Sequence, residues 1–186
     1  MTLRMSAREA ELFKNFVTQS KCYFEFGLGG STLFAAGVVD GPLVAIDSDV
    51  AWIEKISQQI APSGHERRLI HVDIGPTGNW GVPISSDHRP QYPKYHETIL
   101  NASGDFDLCL VDGRFRVACF LQALRRLDRN AIIGVHDYRS RSYYHAIEEF
   151  ARPIAEAEDL TFFVSKTGAK SWAIESALEA YRYDQR

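Results

Sequence analysis

Apolar residues in this chain come in short unbroken runs, and amphipathic stretches lie between them. Ser6-Ala7-Arg8-Glu9 has the serine and glutamate of a capping box. Leu12, Phe13, Phe16 and Val17 follow at helical spacing, which predicts a first helix to about Ser20. Cys22 to Phe26 reads as a buried strand, stopped by Gly27-Leu28-Gly29-Gly30-Ser31-Thr32, and Leu33 to Val39 as a helix. Leu43 to Ile46 is a second strand ending at Asp47, and Val50 to Ile60 a helix with Ile53, Ile56 and Ile60 on one side. Leu69 to Val72 is a third strand, ending at Asp73. Further on, Phe106 to Val111 is a strand ending at Asp112-Gly113, Arg116 to Leu127 a helix, and Ala131 to Val135 a strand ending at His136-Asp137. Ser142 to Phe150 is expected to be helical and to end before Pro153. Leu160–Val164 and Ser171–Ile174 are expected to be strands of a hairpin around Thr167-Gly168, and residues 177–186 a tail.

Strands that are apolar throughout and alternate with helices imply a parallel sheet covered on both faces. The expected fold is α/β: a doubly wound, mostly parallel sheet with a C-terminal antiparallel hairpin, in one domain over residues 1–186. Residues 75–95 interrupt this pattern with four prolines and three glycines, together with Trp80, Tyr92 and Tyr95. A long irregular segment in a compact domain is usually functional or disordered. The aromatics argue against disorder, so the segment is a candidate lid, with Trp80 equally suited to a homodimer contact or to local packing.

Composition narrows the function. At 186 residues, 45% hydrophobic and 24% charged, the chain is an ordinary globular length and mixture. Its net charge of -3 gives no basic excess for nucleic acid. No apolar run approaches the roughly 20 residues that span a bilayer. The N-terminal residues lack the apolar centre of a signal peptide, which points to the cytoplasm. Cys22, Cys109 and Cys119 form no close pair and no metal spacing, as expected of reduced, buried thiols.

In a doubly wound sheet, ligands bind beyond the carboxyl ends of the strands. There the chain places Gly27-x-Gly29 after the first strand and Asp47 twenty positions after Gly27. Glycines let a backbone approach a ligand closely, and a carboxylate at Asp47 suits both hydroxyls of a ribose. Asp47 or Asp49 would equally cap the next helix. An NAD-linked oxidoreductase is the first rival reading. Against it, the third glycine of G-x-G-x-x-G would fall at Thr32, and Glu25 is a poor neighbour for a pyrophosphate but a good one for an ammonium or sulfonium group.

Glu25-x-Gly27-x-Gly29, Asp47, Asp73 and Asp112, each after its strand, resemble the motifs of class I S-adenosylmethionine-dependent methyltransferases. Asp105 to Gly113 and Ile133 to Tyr138 are most similar to the small-molecule branch that includes O-methyltransferases. The resemblance runs from about Lys21 to Ile174. It implies a Rossmann-like methyltransferase fold, S-adenosylmethionine as cofactor and a small-molecule acceptor. It implies that Gly27 and Gly29 pass beneath the methionine part, that Glu25 stands near its amino group and that Asp47 holds the ribose hydroxyls. It further implies that Asp73 accepts from the adenine amine, that Ile74 packs on the ring and that Asp112 borders the methionine end. Ser31 stands where many members have glycine, and its hydroxyl is expected at the cofactor carboxylate.

For catalysis the candidates are Asp112, His136 and Asp137, as a general base or as ligands of a divalent cation. Metal-dependent O-methyltransferases resemble this arrangement, but they carry an amide where this chain has Tyr138 and a lysine where it has Gly113-Arg114. Both departures count against a metal. Arg114, Arg116, Arg139 and Arg141 follow the same two strands; they suit an acidic acceptor, or are solvated helix ends. A non-catalytic cofactor-binding protein of this fold is the second rival reading.

Overall fold

The structure is a computed structural model that describes residues 2–186. Seven strands form one sheet: β1 (Tyr23–Phe26), β2 (Leu43–Asp47), β3 (Arg67–His71), β4 (Leu108–Val111), β5 (Ile132–Val135), β6 (Ala151–Ala157) and β7 (Leu160–Ser165). Their order is β3-β2-β1-β4-β5-β7-β6. The first five are parallel, and β7 runs antiparallel to both β5 and β6. This is the Rossmann-like methyltransferase arrangement, with its switch point between β1 and β4.

Alternate strand residues face opposite sides of a sheet, so each strand feeds two cores. Phe24, Phe26, Val44, Ile46, Cys109 and Val111 pack on one side with α4 (Pro93–Asn101), α5 (Arg116–Arg126) and α6 (Ser171–Tyr181). Tyr23, Leu43, Ala45, Leu108 and Leu110 pack on the other with α1 (Ala7–Val17), α2 (Gly30–Val38) and α3 (Val50–Ser57). All three cysteines are buried and free. No helix among the described residues is long and apolar enough to cross a membrane.

The C-terminal third departs from the sequence reading. The hairpin pairs Ala151–Ala157 with Leu160–Ser165, and Ser171–Ile174 opens α6 instead of forming a strand. Pro153 sits in β6, the edge strand, where a missing N–H costs no ladder bond. In α6, Ile174 and Leu178 bury one helical stripe against the α5 side of the core. The closing residues are docked, not a tail: Phe115 and Arg116 donate their backbone N–H groups to the Gln185 and Arg186 carbonyls at 3.4 and 2.8 Å. Residues 142–149 form a 3-10 helix. α4, which opens on Pro93, lies partly inside the stretch expected to be irregular.

Candidate functional site

The turn after β1 is shaped by a close backbone contact. Gly27 has φ +85°, and a Cβ there would fall 2.4 Å from the Gly113 Cα, so the turns after β1 and β4 touch main chain to main chain. A Cβ on Gly29 would meet nothing within 4 Å, which leaves an open face on the loop. Asp47 holds this loop from the end of β2. Its Oδ2 accepts from the Leu28 N–H at 3.3 Å, and its Oδ1 from Ser48 and Asp49 at 2.7 and 3.0 Å. Burial pushes the Asp47 carboxyl upward against these three N–H groups. The cap of α3 is Asp49, whose Oδ1 accepts from the Trp52 N–H at 3.0 Å, so Asp47 is released from that duty.

Glu25 lies a layer below. It is fully buried, and its two oxygens accept from the hydroxyls of Ser31 and Thr32, the latter at 2.7 Å. Burial raises its pKa to about 8 against the pull of those hydroxyls. Glu25 therefore anchors the start of α2, and the Ser31 hydroxyl donates its hydrogen bond to it.

Asp73 is exposed after β3, and its Oδ1 accepts from the Gly75 N–H at 2.9 Å. Ile74 is buried in the core. The segment that follows lies across the strand ends. Gly75 packs on the His88 ring, and a Cβ on Gly81 would come 3.2 Å from Ser48 Oγ and 3.7 Å from Arg114 Cγ. Trp80 is 72% exposed, with φ +63°, and the Arg4 guanidinium sits 4.6 Å from the centre of its ring. The N-terminal residues also press on α2, where a Cβ on Gly30 would fall 2.4 Å from the Thr2 carbonyl oxygen.

Asp112, His136 and Asp137 come together at the ends of β4 and β5, with one ligand atom from each within 4.8 Å of the others. His136 Nδ1 lies 2.9 Å from Asp112 Oδ1 and 3.9 Å from Asp137 Oδ1, while its Nε2 lies 3.7 Å from Glu9 Oε2. Burial alone would lower its pKa, but Asp112, Asp137 and Glu9 outweigh burial and hold it at about 9, so the ring is an imidazolium at neutral pH. Burial would likewise raise Asp112; His136, Arg116 and Arg114 instead bring it below the usual carboxylate range.

Arg116 is buried and its Nη2 lies 3.4 Å from Asp112 and 3.1 Å from Asp137, while Arg141 reaches Asp137 at 2.9 Å. This donor set fits a divalent cation poorly. Both carboxylates already face guanidinium groups, Asp112 that of Arg116 and Asp137 those of Arg116 and Arg141.

No family model and no curated protein matches the chain. Among solved structures, a methyltransferase-like protein of Silicibacter pomeroyi is 29% identical, with 98% of this chain and 97% of that one covered and a TM-score of 0.88. The 1,6-didemethyltoxoflavin N1-methyltransferase of Burkholderia thailandensis, solved with S-adenosylhomocysteine, is 8% identical, with 87% and 78% covered and a TM-score of 0.57. A TehB-like S-adenosylmethionine-dependent methyltransferase of Corynebacterium glutamicum is 13% identical, with 87% and 89% covered and a TM-score of 0.53. The chain is a methyltransferase-fold protein. At such low identity the last two carry the fold alone; the first carries the likeness along nearly the whole chain.

Two groups of this methyltransferase fold escaped the sequence reading. Glu9 was legible only as a cap, which it is: Ser6 N–H donates to it at 2.7 Å. It also accepts from the Asp159 N–H at 2.9 Å and faces His136, so it ties α1 to the hairpin and to the site. Arg116 was legible as cationic, but nothing local announces that it turns inward between two carboxylates.

Proposed function

We propose that this protein binds S-adenosylmethionine at the carboxyl ends of β1, β2 and β3 and transfers its methyl group to a small molecule. The observation that carries the reading is the open face of Gly29 beside Asp47, with the Asp47 carboxylate fixed in place by the Leu28, Ser48 and Asp49 N–H groups. Asp47 would take the ribose hydroxyls, Asp73 the adenine amine, and the Gly27–Gly29 turn the methionine part. Glu25 acts through the loop: it holds Ser31 and Thr32, and thereby the first turn of α2, in place. When bound, the cofactor supplies a methyl group on a sulfonium for in-line displacement.

The chain's share of that reaction is alignment. His136 is held protonated at neutral pH, so it is not the group that takes a proton from an acceptor, and both acids beside it are paired with arginine. Asp112, His136, Asp137 and Arg116 instead form a rigid, charge-balanced wall at the β4 and β5 ends. That same occupied state favours a second reading, a cofactor binder without turnover.

Thermal melting tests the binding step. S-adenosylhomocysteine should stabilise the protein and NAD should not, and Asp47→Ala should remove most of the response. A larger response to NAD, or an unchanged one in Asp47→Ala, would overturn the reading. Release of S-adenosylhomocysteine from S-adenosylmethionine across an acceptor panel separates enzyme from binder.

A further inference from the structure

Four arginines follow β4 and β5, and three of them are paired. Arg116 meets Asp112 and Asp137, Arg141 meets Asp137, and Arg139 meets Glu156 at 2.9 Å. Arg114 has no carboxylate partner among the described residues, and its Nε is shielded from solvent with no acceptor. Arg68 and Arg182 also have a shielded Nε without an acceptor, but each is ion-paired, Arg68 to Glu66 at 3.7 Å and Arg182 to Glu97 and Glu179 at 3.8 and 3.3 Å.

The place of Arg114 is as telling as its lack of a partner. It follows Gly113, whose backbone touches Gly27, and its stem lies against Gly81, which also meets Ser48. The side chain therefore runs between the strand ends and the segment that crosses them. In the cofactor reading the methyl group lies at these strand ends, so Arg114 borders the place an acceptor would take. A guanidinium stays charged throughout the physiological range, and a half-buried one with no carboxylate in contact is costly, Asp112 acting on it only from beyond ion-pair distance. Arg116 and Arg141 nearby raise that cost, and both are already matched by Asp112 and Asp137.

We propose that Arg114 receives an anionic group, a carboxylate or a phosphate, on the methyl acceptor. This rests on the cofactor reading above. Guanidinium matches both anions with two parallel N–H donors, which lysine does not reproduce.

The test is thermal melting of the wild type, Arg114→Gln and Arg114→Lys, with phosphate against chloride at equal ionic strength and with saturating S-adenosylhomocysteine. Without ligands, Arg114→Gln should melt close to the wild type, because no ion pair in contact is lost. Phosphate should stabilise the wild type on top of S-adenosylhomocysteine. Arg114→Gln should weaken phosphate binding by about tenfold or more, with Arg114→Lys in between.

A lower melting point in ligand-free Arg114→Gln would reveal a structural partner and overturn the proposal, as would equal phosphate responses in both proteins. A phosphate response abolished by S-adenosylhomocysteine, but kept with 5′-methylthioadenosine, would assign Arg114 to the cofactor's own carboxylate and overturn it too. If S-adenosylhomocysteine itself fails to bind, the cofactor reading fails, and phosphate titration of the ligand-free proteins still decides whether Arg114 holds an anion.

Discussion

His136 and Glu25 make the stability of this protein depend on pH in one direction. His136 binds its proton more tightly in the folded state, at about 9 against 6.5. Its contribution is complete below about pH 6.5 and is lost as pH rises to 9. The shift corresponds to something on the order of 3 kcal/mol. Glu25 is protonated in the fold up to about 8, whereas an exposed glutamate ionises near 4.5, so rising pH in that window favours the unfolded chain. Urea midpoints should therefore fall between pH 6.5 and 9. Glu25→Gln should flatten the lower part of the curve and exceed the wild type at pH 9, and His136→Gln should flatten the upper part at a cost in stability near pH 6. A wild-type midpoint that is level or rises across this range would contradict the assignment of both groups. Neither behaviour is legible in the sequence. The burial of Glu25 beneath the Ser31 and Thr32 hydroxyls depends on how α2 folds back over β1, and Glu9 reaches His136 only because α1 packs beside the hairpin.

Among the elements, the segment from Gly75 to Gln91 is the one held least by core packing. None of its residues is buried, and its contacts include the Thr77–Pro83 bridge, the Tyr92 hydroxyl on the Ser85 carbonyl at 2.8 Å, His88 on Gly75, Gly81 against Ser48 and Arg114, Arg89 over Tyr183 and Arg4 over Trp80. An exposed cation–π pair is worth about 0.5–1 kcal/mol. Trp80→Ala should thus raise the population of the open segment, and its rate of cutting by proteinase K, by about two- to fivefold. S-adenosylhomocysteine should slow the cut in both proteins if the segment lies over the bound cofactor; a rate indifferent to Trp80 and to ligand would make the segment a passive loop. The turn beneath it should be far less forgiving. Gly27→Ala puts a Cβ into the Gly113 backbone at positive φ and should cost about 1–3 kcal/mol or more, read from the urea midpoint. That turn was visible in the sequence as glycines at a strand end. α4 was hidden because Pro93, a good first residue for a helix, looks like one more proline of the irregular stretch. α6 was hidden because a four-residue apolar run fits strand and helix alike, and only Leu178, one turn beyond Ile174, decides for helix.

For the molecule as a whole, the parallel half of the sheet was legible because its strands are buried on both faces, which writes them as continuous apolar runs. The same topology brings the turns after β1, β2 and β4 together, so residues far apart in the chain share one cleft. Asp47 bonds to Leu28, Gly81 lies on Ser48 and Arg114, and Gly113 touches Gly27. A ligand in that cleft contacts several elements of one cooperative unit, and its binding energy then adds to the stability of the entire fold. At 100 times its dissociation constant, S-adenosylhomocysteine should stabilise the protein by about 2.7 kcal/mol. For a chain of this length that is roughly 5–11 °C in melting temperature. Because Arg116 already pairs with both acids and Arg141 with Asp137, EDTA should leave this shift unchanged and added Mg²⁺ should not enlarge it. A shift that collapses with chelator would show that a metal displaces Arg116 from Asp112 and Asp137, and the charge-balanced wall at β4 and β5 would then have to be redrawn as a metal centre.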